Sequence, residues 1–131
     1  MYKLSEFRRF YLFDYEFKES RNLDDVLEKL VGKFKPLKIK DFENIINDAK
    51  EKGLLPKGFK DAVAMRSLAF KPPMIYFLLF QEDWKGGKIM LLETKNSWYS
   101  HKKILLSMRS YCRNAGIKCR FLKYGKFSDA A

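Results

Sequence analysis

Two apolar segments separated by a glycine-rich turn constrain the fold of this chain more than any other feature. The first, Met74 to Gln81, is rich in aromatic and aliphatic residues, and the second runs from Lys88 to Thr94. Between them, Trp84-Lys85-Gly86-Gly87 has the composition of a turn. The pattern predicts a β-hairpin that turns at 84–87.

The part of the chain before the hairpin predicts one strand and three helices. Aromatic residues at every second position over 7–17 predict the strand. Asn22 (or Ser20) and Asp41 are suitable N-caps for two short helices. The segment 59–70 suits a helix or a strand, and its good helix formers favour the helix.

The part after the hairpin predicts a helix over 101–115 and a strand over 117–124. At 100° per residue, Lys102, Arg109 and Arg113 form a narrow basic stripe on this helix. The opposite side of the helix is apolar and consists of Ile104, Leu105, Met108, Tyr111, Cys112 and Ala115. The helix is therefore expected to pack on the core with a basic outer face.

The charge of the chain is concentrated at its C-terminal end. The 131 residues include 27 Lys and Arg against 16 Asp and Glu, a net charge of +11. Residues 94–131 alone hold nine basic residues and one acid, a net charge of +8. Such a basic region predicts a polyanionic partner, DNA more than RNA, although a Lys-rich solubilising surface is the alternative.

Several classes of protein are poor fits to this sequence. The longest apolar run, Met74 to Phe80, has seven residues, against the roughly 20 that span a bilayer. No membrane partner and a cytoplasmic (intracellular) location are therefore expected, with Cys112 and Cys119 as free thiols. No linker interrupts the chain, so 1–131 is expected to form a single domain.

A pair of opposite charges ends the second strand of the hairpin. Glu93 and Lys95 are two residues apart, which places them on one face of a strand. In phosphodiester cleavage, such a carboxylate helps to hold Mg²⁺ or Mn²⁺, and the ammonium orients water or stabilises the developing charge. The alternative is an ion pair at a strand end.

The segment 74–124 resembles the PD-(D/E)xK nuclease superfamily, which includes Holliday-junction resolvases and many restriction enzymes. The resemblance rests on an apolar strand that ends in Glu93-Thr94-Lys95, a basic amphipathic helix and a further strand. It implies an α/β (α+β) fold with a mixed central sheet flanked by helices. Residues 59–131 would form the restriction-endonuclease-like core, and 1–58 an N-terminal strand-helix-helix elaboration.

The resemblance also implies a metal-dependent endonuclease in which Glu93 and Lys95 are catalytic. The family holds its metal with a second acid, expected here near Met74 to Tyr76 if Glu93 faces Leu78, and that stretch has no acid. Asp61 is the candidate substitute as a catalytic and metal-binding residue. Glu43 is the reserve metal ligand.

Nucleic-acid contacts are expected from the predicted C-terminal helix and from the residues before it. The candidates are Trp98, Tyr99, Lys102, Lys103, Arg109 and Arg113. Two alternative functions are a non-catalytic nucleic-acid-binding or architectural protein, and a small metal-independent ribonuclease of the toxin type. The latter would use Arg109, Tyr111, His101 and Arg113.

A homodimer is the last expectation from the sequence. Tyr11, Phe13 and Tyr15 lie on the predicted N-terminal strand, and they would need to be covered if they were exposed.

Overall fold

A computed structural model of the chain describes residues 1–69 and 74–127. The strands are β1 (Phe7–Phe17), β2 (Phe34–Leu37), β3 (Asp61–Ser67), β4 (Ile75–Gln81), β5 (Gly86–Thr94) and β6 (Ile117–Lys126). The α-helices are α1 (Leu23–Lys29), α2 (Glu43–Glu51) and α3 (His101–Asn114), and short 3₁₀ helices lie at Leu4–Glu6 and Ile39–Phe42. The fold is therefore α+β.

The strands of the described chain form one sheet in the order β2-β3-β4-β5-β1-β6. Each neighbouring pair is antiparallel, so the mixed sheet that the family resemblance implied is not what forms. The reason is the position of β1, which inserts between β5 and β6 and pairs with both. The segment 1–58 therefore contributes an inner strand to the sheet and is not confined to its outside.

The predicted hairpin forms, with a register that differs from the expected one. The strands end at Gln81 and restart at Gly86, so the turn lies at 82–85 and not at 84–87. Glu93 consequently faces Ile75 and not Leu78. Gly86 and Gly87 belong to β5, where a Cβ would collide with the backbone of Tyr15 and Phe80 respectively.

The segment 59–70 is largely a strand, and its prediction as a helix was wrong over 61–67. β3 lies between β2 and β4, where Ala64 and Met65 are buried. Pairing on both sides and this burial outweigh the helix propensity of the segment, which is a weak preference of a fraction of a kcal/mol per residue. Phe70 lies outside the described residues.

Helices cover both faces of the sheet. α1 and α3 pack on the face that presents Tyr11, Phe13 and Tyr15, whereas α2 packs on the other face. Asn22 caps α1 as predicted, by accepting from the backbone N–H of Asp25. Asp41 does not cap α2, because it lies within the 3₁₀ helix before it.

The three N-terminal aromatic residues are buried inside this chain. Tyr11, Phe13 and Tyr15 are at most 3% exposed. The prediction of a homodimer assumed that these three residues are exposed, and this assumption is wrong. None of the helices in the described residues has the length and apolar character needed to cross a membrane.

Candidate nucleic-acid interface

A groove of about 810 Å³ runs between α3 and the edge strand β6. Leu105 and Met108 line it from the helix, and Phe13 and Phe121 line it from the sheet. α3 is placed as its pattern predicts, with Ile104, Met108 and Cys112 buried. The floor of the groove is therefore apolar.

The walls of the groove carry a net positive charge. Five basic residues line it against two acidic ones, Glu16 and Glu19. The basic residues are Lys18, Arg109, Arg113, Lys118 and Arg120. They are all exposed, although Arg120 is paired with Asp14 at 2.7 Å. Lys118 and Arg120 alternate with Cys119 on β6, so their side chains leave from the sheet face away from α3.

The groove contains only part of the stripe predicted from the helix pattern. Arg109 and Arg113 line it, and Lys102 is exposed near the N-terminal end of α3. Lys103 lies over the ring of Tyr99, 4.7 Å from its centre. β6 supplies the opposite wall through Cys119 and Phe121, which the sequence had shown only as part of the predicted last strand.

A disulfide joins the two sides of the groove, so the prediction of free thiols was wrong. Cys112 near the end of α3 is bonded to Cys119 of β6, with their Cα atoms 6.2 Å apart. Gly116 makes this approach possible, because its φ of +69° lets the chain reverse direction between helix and strand. Both cysteines line the groove.

Partly exposed aromatic rings continue along the same face of the sheet toward the start of α3. Phe121 lies 5.6 Å from the ring of Phe13 and 6.3 Å from that of Tyr11. Tyr124 is stacked 5.9 Å from Tyr11 and lies 4.2 Å from the ring of His101. Phe121 is 42% exposed and Tyr124 is 43% exposed, so both rings present area to a ligand.

Glu93 forms a buried ion pair with Arg9 of β1. The two residues are direct neighbours across the strands, and their side chains are 0% and 4% exposed. Arg9 donates from Nε to Oε1 and from Nη2 to Oε2, the latter at 3.2 Å, and Nη2 also donates to the carbonyl of Tyr99. Both oxygens that a metal would use are thus accepting from a guanidinium.

His101 lies beside this ion pair at the start of α3. Its Nδ1 shares a hydrogen bond of 2.6 Å with the hydroxyl of Tyr11, and its Nε2 lies 3.5 Å from Nη1 of Arg9. Burial and the positive charge of Arg9 lower the pKa of His101, which favours the neutral imidazole. Burial also raises the pKa of Tyr11 to about 12, so its hydroxyl stays protonated at neutral pH.

The structure does not bring the other predicted metal ligands to Glu93. Asp61 faces Gln81 whereas Glu93 faces Ile75, which separates them by six residues of β4 or roughly 20 Å. Glu43 is exposed on α2, across the sheet from Glu93. Within residues 1–69 and 74–127, no group of three or more His, Cys, Asp and Glu side chains is placed to hold a metal ion.

The remaining candidates also lie apart from one another. β5 ends at Thr94, so exposed Lys95 follows the strand and does not continue its alternation. Trp98 is 76% exposed, and its ring is stacked with that of Tyr99 at a centroid distance of 6.4 Å. His101 and Arg113 were proposed for a metal-independent ribonuclease, and they are twelve residues or about 18 Å apart on α3. Tyr111, proposed with them, packs against the rings of Phe34 and Phe77.

Comparison of the chain with protein-family models, curated proteins and solved structures finds no match. The site is therefore interpreted from its own geometry. Sequence reasoning missed Arg9 and the groove wall on β6. The one available signal for the wall was the alternation of the predicted last strand, which was not assigned to a surface.

Proposed function

We propose that this protein binds nucleic acid through the groove between α3 and β6. The observation that supports the proposal best is that exposed basic residues from two parts of the chain border one groove. Arg109 and Arg113 stand on α3, and Lys18 directly follows β1. A solubilising Lys-rich surface would not require such a concentration around a groove.

Charge provides the affinity in this proposal. Each basic residue that neutralises a phosphate releases condensed counterions, which makes binding strongly dependent on salt. Contacts of Lys and Arg with phosphates carry no sequence information, so the proposed binding is largely independent of sequence.

The test replaces Lys102, Arg109 and Arg113 together with Gln. We expect the slope of log K against log salt concentration to become shallower by about two to three units on duplex DNA, at about 0.9 per lost phosphate contact, or about 0.7 on single strands. Fluorescence anisotropy over a salt series measures this slope.

A matched control removes three charges from the other edge of the sheet. Lys33, Lys35 and Lys38 are exposed at or beside β2, the edge strand farthest from β6. Their replacement with Gln changes the net charge equally and should alter the slope much less. Equal slopes for the wild type and the Lys102/Arg109/Arg113 variant would refute the proposal.

A metal-dependent endonuclease with a nuclease-like core is the second candidate function. The order β5-α3-β6 supports it, because Glu93 lies near the end of β5 and α3 begins at His101, as in the nucleases that the sequence resembles. For Glu93 to hold Mg²⁺ or Mn²⁺, the carboxylate would have to exchange Arg9 for the ion. Nucleic-acid binding without catalysis therefore requires no rearrangement of the ion pair between Glu93 and Arg9.

Cleavage of a DNA panel with Mg²⁺ or Mn²⁺ distinguishes the two candidates. If the site is catalytic, Glu93→Gln should reduce cleavage by orders of magnitude while binding persists. Cleavage that survives this substitution would contradict the assignment of Glu93. Absence of cleavage by the wild type with either ion would favour the binding function.

A further inference from the structure

We infer that the groove takes single-stranded nucleic acid, with bases stacked on the exposed rings of Phe121, which lines the groove, and of Tyr124, which lies beyond it on the same face of β6. This inference rests on the proposed function and names the ligand class of the same groove. The observation that carries it is the combination of a basic α3 wall with exposed aromatic rings on the α3-facing side of β6.

The arrangement of the rings fits successive bases. Phe121 and Tyr124 both lie on the α3 side of the sheet, because a register shift between Leu12 and Phe13 of β1 accommodates the extra residue between them. Each ring is supported from beneath by buried residues of β1, Phe13 and Tyr11. Supported rings with an open side are the stacking platforms that single strands use.

The charges lie where the phosphates of such a strand would run. Arg109 and Arg113 border the groove from α3, and Lys18 borders it where β1 ends. A base-paired duplex keeps its bases inside the helix and offers mainly phosphates, so it would leave the apolar floor and the two rings unused. The aromatic and apolar surface therefore favours an unpaired strand.

β6 is an edge strand, and its charges disfavour a second copy of this chain as the occupant. It pairs with β1 on one side and lies at the end of the sheet. Four basic residues, Lys118, Arg120, Lys123 and Lys126, occur along it. Two such strands side by side would bring like charges together, whereas a polyanion complements them.

The experiment compares three fluorescein-labelled probes at one salt concentration: a thymidine 15-mer, a 15-base-pair duplex, and a 15-mer of abasic nucleotides. The wild type should bind the thymidine 15-mer at least about tenfold more tightly than either of the others, because only this probe offers unpaired bases. Equal or tighter binding of the duplex would overturn the inference while leaving the proposed function intact. Failure of all three probes to bind would refute the proposed function itself.

The second arm replaces both rings with Leu, as Phe121→Leu with Tyr124→Leu. Leucine keeps apolar contact with Phe13 and Tyr11 but removes stacking, which should weaken binding of the thymidine 15-mer by about 5- to 150-fold for each base that loses its platform. Binding of the abasic 15-mer should not change, which distinguishes loss of stacking from loss of folding.

Trp84→Leu is the matched aromatic control. Trp84 is 74% exposed at the β4-β5 turn and does not line the groove. Its replacement should leave binding of the thymidine 15-mer unchanged. If the Phe121/Tyr124 variant binds this probe as tightly as the wild type, or loses the abasic probe equally, bases do not stack on these rings and the inference is wrong.

Discussion

At the residue scale, the ion pair between Glu93 and Arg9 changes the interpretation of the most conspicuous charge in the sequence. The pattern identified Glu93 as a charge at the end of an apolar strand and offered a metal or an ion pair as the reason. It did not reveal Arg9, which lies 84 positions earlier and meets Glu93 because β1 pairs with β5. A contact between residues so far apart in the sequence depends on the order of strands in the sheet, and local periodicity does not encode that order.

The substitution Glu93→Gln should destabilise the protein through this ion pair. It leaves the buried charge of Arg9 without a counter-charge, and breaking a buried pair from one side costs about 3–5 kcal/mol. Urea unfolding followed by circular dichroism measures the free energy of unfolding, and it also establishes that a variant used for cleavage assays is folded.

The double variant Arg9→Leu with Glu93→Leu is the control for this effect. Removing both charges avoids an unpaired buried ion, so much of the lost stability should return. A residual loss of about 1 kcal/mol is expected because the carbonyl of Tyr99 also loses its donor. An unchanged urea midpoint for Glu93→Gln would show that the ion pair contributes nothing to stability.

At the scale of elements, the sequence predicted the structure correctly where a single segment packs one side on the core, as a helix does. The pattern of α3 predicted its apolar side and its exposed basic stripe, and both are present. β3 was mispredicted because its residues suit a helix until β2 and β4 are placed on either side. The disulfide was missed for a similar reason, since the approach of Cys112 to Cys119 depends on how α3 and β6 pack.

Removal of this disulfide should lower the stability of the protein moderately. The two cysteines are seven positions apart, and closing so short a loop in the unfolded chain accounts for about 2–3 kcal/mol. The variant Cys112→Ala with Cys119→Ala should therefore unfold at a lower urea concentration than the oxidised wild type. Reduced wild type should show a similar loss, and coincident unfolding curves for the oxidised and reduced protein would contradict the prediction.

At the scale of the whole molecule, the uneven charge was readable from the sequence and the topology was not. The excess of +8 in 94–131 follows from counting residues, and in the fold part of it borders the groove between α3 and β6. Inserted between β5 and β6, β1 separates these two strands and pairs antiparallel with both, and it brings Tyr11 and Phe13 beneath the rings of β6. The position of β1 in the sheet therefore determines where the groove lies. The pattern of 7–17 predicts that a strand forms but not which strands it pairs with.

Binding of an oligonucleotide should raise the melting temperature of the whole domain. A ligand that binds only the folded state, present at 100 times its Kd, stabilises it by about 2.7 kcal/mol. For a domain of this size that corresponds to a rise of roughly 10 °C. Differential scanning fluorimetry with a thymidine 15-mer measures the shift, which should diminish as salt is raised because the affinity falls. Polyglutamate at matched charge is the control, and it should give a smaller shift because it supplies negative charge without bases. A melting temperature that does not respond to the oligonucleotide at low salt would count against nucleic acid as the partner of this fold.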